Sequence, residues 1–408
     1  MPARTPERMQ RQPLEPLLAQ LEREQRRRRR RTVEGYASAG SHAELIIAGR
    51  RLVDFSSNDY LGLAGHPGPA AAMAQCAART GAGTGASHLI SGHGAEHDAL
   101  EEALAAYTGR ERALLFSTGY MANLGVMSAL GGPGECVLLD RLSHASLIDG
   151  AKLCGARLRR FAHADVAAAE RLLGTVAQPT AVLATDGVFS MDGDVAPLAA
   201  LARAAHAHEA WFVVDDAHGL GVLGPTGRGA LEAAGLSAEE VPVLVGTLGK
   251  AFGSFGAFVA GSAALIDLLV QKARPYVYTT ALPQPVAAAT RAALELAQCE
   301  PWRRERVLQL TVRFRAAAAA AGVPLSDSAT PIQPIPLGSA HAALEAQRAL
   351  ADAGFWVVAI RAPTVPAGQE RLRVTLSAAH TEAQVDALAE TLGQACRFAG
   401  TAAGEASR

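Results

Sequence analysis

A single amine follows a strand-like apolar run in VPVLVGTLGKAFGSFGAF. Val241 to Val245 read as the strand, Thr247 adds a hydroxyl, and Lys250 stands among Gly246, Gly249, Gly253 and Gly256, which leave room for a planar cofactor. A lysine so placed can form a Schiff base with an aldehyde cofactor; the plainer alternatives are a surface amine or a partner for substrate charge. Just upstream, AWFVVDDAHGLGVLGPTGRG ends its apolar run, Ala210 to Val214, in Asp215, Asp216, Ala217 and His218. Ligands of open parallel sheets bind outside the carboxyl ends of the strands, so Asp215, His218 and Lys250 meet at one crevice if both runs share a sheet. Pyridoxal phosphate asks for this set, an anchoring lysine and a carboxylate that keeps the pyridine nitrogen protonated. An Asp-Asp turn capping the next loop is the structural alternative.

Three more segments carry candidate chemistry. LLFSTGYMANLG breaks from a strand into a helix near Gly119 and Tyr120, where backbone N–H groups suit a phosphate, or form an ordinary βα turn. LDRLSHASLIDGAKLCGA sets His144 in a small-residue loop, free to stack on a ring or simply exposed. In TDGVFSMDGDVAPL, Ser190 either donates to a cofactor oxygen or caps its own turn. Other motifs fail on context. GAGTGA, from Gly81, fits a dinucleotide fingerprint but follows a helical stretch rather than a strand. GTLGKA lacks the first glycine and the hydroxyl residue of a phosphate loop. His93 and His97, four apart with His88 nearby, have no zincin glutamate, and no metal is expected.

The elements that must hold these residues are legible as alternation. ALLFS, CVLLD, AVLATDG, WFVVD, VLVGT and AFVAG read as strands separated by alanine-rich amphipathic helices, an α/β wound, mostly parallel sheet. The chain has 408 residues, more than one core usually serves. Prolines 275, 283 and 285 precede a long helix over 286–298, which sets a boundary near 284. The expected division is an N-terminal helical arm over 1–50, a large cofactor-binding α/β domain over 51–284, and a smaller α+β domain over 285–408. FWVVAI and RLRVTLS read as strands of the last.

Apolar residues make up 49% and aromatics only 5%, so the core is built from small aliphatic side chains. Basic and acidic residues nearly cancel, 38 against 39, which argues against nucleic-acid or anionic-membrane partners. The five scattered cysteines have no CxxC spacing, and no window reaches eighteen apolar residues, consistent with a cytoplasmic protein. One local charge stands out, the six arginines of Arg26 to Arg31 on what reads as a continuous helix with Leu14, Leu17, Leu18 and Leu21 on one face. Such a run solvates a helix end, binds nucleic acid, or aims a guanidinium at an anionic substrate.

SSNDYLGL, GASHLISG, STGYMANLG, SHASLIDG, TDGVFSMDGD, VVDDAHGLGVLG, GTLGKAFGSFG and RAPTVPAGQERLRVTLSAAHT occur in this order. Together they resemble the α-oxoamine synthases of the pyridoxal-phosphate fold-type I superfamily, from about Leu14 to Gly393. The resemblance implies an aminotransferase-like fold and a homodimer with shared active sites. It implies that Lys250 anchors pyridoxal 5'-phosphate and then removes a Cα proton, that Asp215 pairs with the ring nitrogen, and that His218 and Ser190 reach the ring hydroxyl. His144 would stack on the ring and take part in proton transfer near the acyl carbonyl. Gly119, Tyr120 and Thr247 would hold the phosphate, with Thr280, or its neighbour Thr279, reaching the phosphate of the other subunit. Asn58 and Arg361 would contact the amino-acid carboxylate, and Arg31 and Thr364 the acyl substrate. The chain departs from the siblings at His88, where they often carry arginine. Its closing motif is most similar to the branch that condenses L-alanine with pimeloyl-CoA or pimeloyl carrier protein. Sibling branches that use glycine or L-serine with other acyl thioesters are the alternatives.

Overall fold

The computed structural model describes residues 14–175 and 179–405; the first thirteen residues of the expected arm lie outside this range. Along the chain its strands are β1 (Gly35–Ser38), β2 (Ser41–Ile47), β3 (Arg50–Asp54), β4 (Arg112–Phe116), β5 (Cys136–Asp140), β6 (Arg157–Phe161) and β7 (Thr180–Asp186). Then follow β8 (Trp211–Asp215), β9 (Val243–Thr247), β10 (Ala257–Gly261), β11 (Ile332–Pro336), β12 (Phe355–Trp356), β13 (Val358–Ile360) and β14 (Arg371–Thr375).

The six expected strands of the large domain fall in one seven-stranded sheet, ordered β4-β10-β9-β8-β7-β5-β6. Its pairings β9–β8–β7–β5–β6 are parallel, and β10 runs antiparallel to both of its neighbours. Both faces are covered, which is why these strands read as unbroken apolar runs rather than alternating ones. Along β8 the alternation is still visible in space. Val213 packs with Val126, Met127 and Leu147 on one face, and Phe212 and Val214 pack with Leu201 and Leu231 on the other. Parallel pairing brings the carboxyl ends Asp140, Asp186, Asp215 and Thr247 to a single edge.

β6, RLRRF, completes the sheet at its edge. Its sequence hides it, because only Phe161 of the five is buried. The C-terminal unit builds a three-stranded antiparallel sheet, β11-β14-β13, backed by the helices Trp302–Ala320, Ala340–Asp352 and Glu382–Glu405. FWVVAI does not form one strand. Phe355–Trp356 pairs in parallel with β3, while Val358–Ile360 pairs with β14, and the buried Val357 lies between. The chain over 35–54 therefore forms antiparallel strands that join a C-terminal one in the sheet β1-β2-β3-β12.

The arginine run is not helical. The helix spans Leu14–Arg23, and the chain turns at Gln25, whose φ is 53°, before the arginines extend. Like charges three and four apart on one helix repel. Released from the helix, Arg27 and Arg29 both fold back on Glu22, at 3.3 and 3.0 Å.

Candidate active site

Lys250 sits in the turn after β9, its amine 2.8 Å from Nε2 of His218. His218 follows β8 by three residues, and its Nδ1 lies 2.7 Å from the hydroxyl of the fully buried Tyr60. Burial holds the Lys250 ammonium down, against the attraction of Asp215, so that its pKa falls to about 8. The same burial, with Lys250 and Arg373 nearby, drives His218 well below the usual imidazole range. The chain has three lysines, and Lys152 and Lys272 are exposed. Lys250 alone combines an amine in the crevice with a weakened hold on its proton.

The glycines around Lys250 serve packing more than cofactor room. A Cβ at Gly246 would lie 2.5 Å from Leu220 and Phe258, and Gly253, at φ 60°, abuts the backbone of Leu63 and Ala64. The first lets β9 close on its neighbours; the second takes a left-handed conformation where a side chain would collide with that backbone.

Asp215, buried at the end of β8, accepts from the amide of Asn123 at 2.6 Å and from the N–H of Ala217 at 3.1 Å. Beside it, Asp186 at the end of β7 accepts from the N–H of His144 at 2.9 Å. Burial, reinforced by the Asp215 charge, pushes Asp186 well above the usual carboxylate range. His144 caps the helix Ala145–Leu153, its Nδ1 accepting from the N–H of Ser146; the residue is exposed, yet desolvation of its ring by the surrounding protein lowers its pKa. Gly119 opens the helix Gly119–Leu130, where the Thr118 side chain accepts from the N–H of Met121. No atom would meet a Cβ at Gly119, so this helix end faces open space with its first N–H groups available to an anion. Tyr120 is exposed and donates its hydroxyl to Asp149. Thr247, at the end of β9, donates to the carbonyl of Gly256 at 3.2 Å.

The substrate candidates separate into two places. Asn58 joins the core of the site. Its Oδ1 accepts from both terminal nitrogens of Arg373 at 3.1 Å and faces the Tyr60 hydroxyl at 3.2 Å. Arg373, which the sequence reading passed over, also donates through Nε to the carbonyl of Ser190 at 2.6 Å. Two residues earlier on the same face of β14, Arg371 reaches Asp192 at 2.5 Å, so this strand grips the loop that carries Ser190. Arg361 and Thr364 instead meet the arm. Arg361 donates to the carbonyl of Gln25, and Arg28, not Arg31, donates to Thr364 at 2.9 Å. Arg31 is exposed. Thr280, also exposed, bridges Ser87 in an isolated antiparallel pair.

A protonated imidazole ties down the loops that present His144 and Ser190. His163, just past β6, lies 3.0 Å from Asp140 and 2.8 Å from Asp194. Burial opposes its charge, but hydrogen bonds to the two carboxylates outweigh it and raise its pKa to about 10. A raised folded-state pKa stabilises below the unfolded value near 6.5, and that stability is lost as pH rises through about 10. His163→Phe keeps an aromatic ring against Phe189 but leaves two carboxylates without their cation. It lowers unfolding stability by about 2 kcal/mol near neutrality. Urea denaturation at two pH values checks this: the gap to the parent protein shrinks above the ring's pKa, and a constant gap contradicts the assignment.

His88, His93 and His97 converge, with ligand atoms within 4.8 Å of one another. Several of their nitrogens already make hydrogen bonds, within the cluster and outside it. Nδ1 of His88 and of His93 are 2.8 Å apart, His97 Nδ1 accepts from the N–H of Gly94 at 2.9 Å, and its Nε2 meets the carbonyl of Leu282 at 2.5 Å.

An aldehyde-bearing pyridine phosphate fits this donor set. A neutralisable lysine, a buried carboxylate, an open helix end for a phosphate and a ring-sized imidazole gather at one edge of the sheet. The chain matches the profile of aminotransferase class I and II over residues 50–392. It is 58% identical over 351 residues to the 8-amino-7-oxononanoate synthase of Cellvibrio japonicus, across 86% of this chain and 88% of that one. The serine palmitoyltransferase of S. paucimobilis, solved with pyridoxal phosphate and myriocin, superposes with a TM-score of 0.88 at 31% identity, over 95% and 98% of the two chains. The 8-amino-7-oxononanoate synthase of Francisella tularensis gives 0.74 at 31% identity, over 85% and 98%.

Proposed function

The chain belongs to the aminotransferase class I and II family, and from that footing we propose how its residues carry out the reaction. The activity is that of an 8-amino-7-oxononanoate synthase of biotin biosynthesis, dependent on pyridoxal phosphate. L-Alanine and a pimeloyl thioester condense to 8-amino-7-oxononanoate with release of carbon dioxide and free thiol. When bound, pyridoxal phosphate supplies the electron sink that makes a carbanion at Cα of the amino acid accessible.

Lys250 Nζ would hold the cofactor, and its amine, once free, is the group placed to take the Cα proton. Its pKa of about 8 leaves a usable fraction of free amine near neutral pH. The observation that carries this reading is that the amine and Asp215 stand at the same edge of the sheet, near enough for the carboxylate's charge to bear on the amine's proton. Asp215 would keep a proton on the ring nitrogen, and His218 and Ser190 would reach the ring hydroxyl. The N–H groups of Gly119 and Tyr120, with Thr247, would hold the phosphate. Arg373, already turned toward Asn58, clamps the alanine carboxylate as a fork. Arg361, Thr364 and the arm arginines, with Arg28 nearer than Arg31, border the acyl chain. On this reading the described residues of 51–284 anchor the cofactor, while those of 1–50 and 285–408 border the substrate.

A homodimer with shared sites is supported by apolar exposure around Thr280. Leu89, Ile90 and Tyr278, which are 50%, 80% and 70% exposed, flank the Ser87–Thr280 bridge. Thr280 of each subunit then serves the other subunit's phosphate. No helix among the described residues is long and apolar enough to cross a membrane. The five unpaired thiols support a reducing, cytoplasmic setting.

A panel of L-alanine, glycine and L-serine, each with pimeloyl-, acetyl-, succinyl- and palmitoyl-CoA, tests the substrate pair. Thiol release is fastest with L-alanine and pimeloyl-CoA; release only with glycine and a short acyl-CoA overturns the assignment. Arg373→Lys keeps the charge but loses the fork, and raises KM for L-alanine by about 10- to 100-fold. The KM for the thioester stays within about twofold. Equal effects on both would place Arg373 away from the carboxylate.

A further inference from the structure

Two residues outside this account, Asn123 and Ser146, connect Asp215 to His144. Asn123 is fully buried inside the helix Gly119–Leu130, an expensive place for an amide without a task. Its Nδ2 donates both protons, one to Asp215 Oδ2 at 2.6 Å and one to Ser146 Oγ at 2.8 Å. Asp215 as a carboxylate only accepts, so the amide nitrogen must face it. Ser146 Oγ, receiving from Asn123, lies 2.7 Å from His144 Nδ1. The backbone N–H of Ser146 also points at that Nδ1, at 3.3 Å. A backbone N–H cannot be re-aimed or turned into an acceptor, so Nδ1 must present its lone pair, and the serine hydroxyl then donates to it as well.

We propose that Asn123 and Ser146 are positioning residues that fix His144 as a neutral imidazole protonated on Nε2, a hydrogen-bond donor in the reaction rather than its base. Nε2 is the ring nitrogen without a hydrogen-bond partner among the described residues, and is free to donate to a carbonyl oxygen of the reactants. The helix end that His144 caps opposes a second proton, because its N–H groups and dipole favour an acceptor there. The other charged and titratable groups that bear on the ring are Asp215, Lys250, His218 and Asp186, whose carboxylate holds the His144 N–H. Lys250 and His218 oppose ring protonation and Asp215 favours it, so the two donors on Nδ1 tip the balance. With the imidazole so fixed, Lys250 is left as the amine that moves the Cα proton. This inference rests on the proposed function for the identity of the carbonyl, but not for the tautomer.

Ring-nitrogen NMR of the cofactor-loaded chain, labelled with 15N on histidine, tests it without turnover. The His144 signals are identified by their loss in His144→Gln. From about pH 6 to 8.5, Nδ1 shows the unprotonated shift and Nε2 the protonated one. Ser146→Ala removes the hydroxyl donor and raises the protonation midpoint of the ring by roughly one pH unit, and Ser146→Thr restores the parent behaviour. The acid limb of kcat moves with the same midpoint. A proton on Nδ1 in the parent protein, or a Ser146→Ala ring that titrates as the parent does, overturns the inference. Because the shifts are read without catalysis, a wrong substrate assignment leaves this result interpretable.

Discussion

Lys250→Ala lowers condensation of L-alanine with the pimeloyl thioester by at least about 10,000-fold. The substitution removes two functions at once, the covalent hold on the cofactor and the base for the Cα proton, and the second alone is worth about 100- to 10,000-fold. Neither neighbour substitutes. His218 is driven well below the usual imidazole range, and Tyr60 is pushed up to about 12 by burial, so neither is a serviceable base at that position. Added small primary amines restore part of the rate, because the missing group is an amine and its removal leaves space beside Cα. Thiol-release assays with and without such an amine check both statements. A loss of less than about tenfold would show that another group moves the proton.

The next largest effect belongs to Asp215→Asn. The amide keeps the shape but has one acceptor oxygen in place of two, so it keeps one of the hydrogen bonds from Asn123 and the N–H of Ala217 and loses the other. What disappears is the negative charge that holds a proton on the ring nitrogen, and with it most of the electron sink. kcat falls by about 1,000-fold while thermal stability changes little. Steady-state kinetics beside a melting curve separate the two. An unchanged kcat would mean that Asp215 does not face the ring nitrogen, and a collapse of stability would mean that its role is structural.

The half of the site that sits on the parallel sheet was legible in sequence because its strands are buried on both faces and end abruptly in polar residues. Asp215, His218 and Lys250 each interrupt an apolar run. Arg373 gave no such signal. In RLRVTLS its alternation with Leu372 and Val374 reads as the solvent face of an ordinary strand, yet that face lies against the loop of Ser190. Asn123 did leave a trace, one amide in the apolar helix GYMANLGVMSAL, which only its partners at Asp215 and Ser146 explain. The arm misled for a different reason. Leucine spacing predicts a helix through the arginines, but repulsion within the run and the acid at Glu22 favour folding back. The strands over 35–54 were invisible as a unit because their partner, Phe355–Trp356, is some three hundred residues away.

Three lysines make one measurement unusually decisive. The cofactor-loaded protein is reduced with borohydride, digested, and its pyridoxyl-bearing peptide sequenced by mass spectrometry. The account predicts one modified residue, Lys250, in near-stoichiometric yield. Modification of exposed Lys152 or Lys272 in its place, or a protein that carries no reducible cofactor at all, would contradict it.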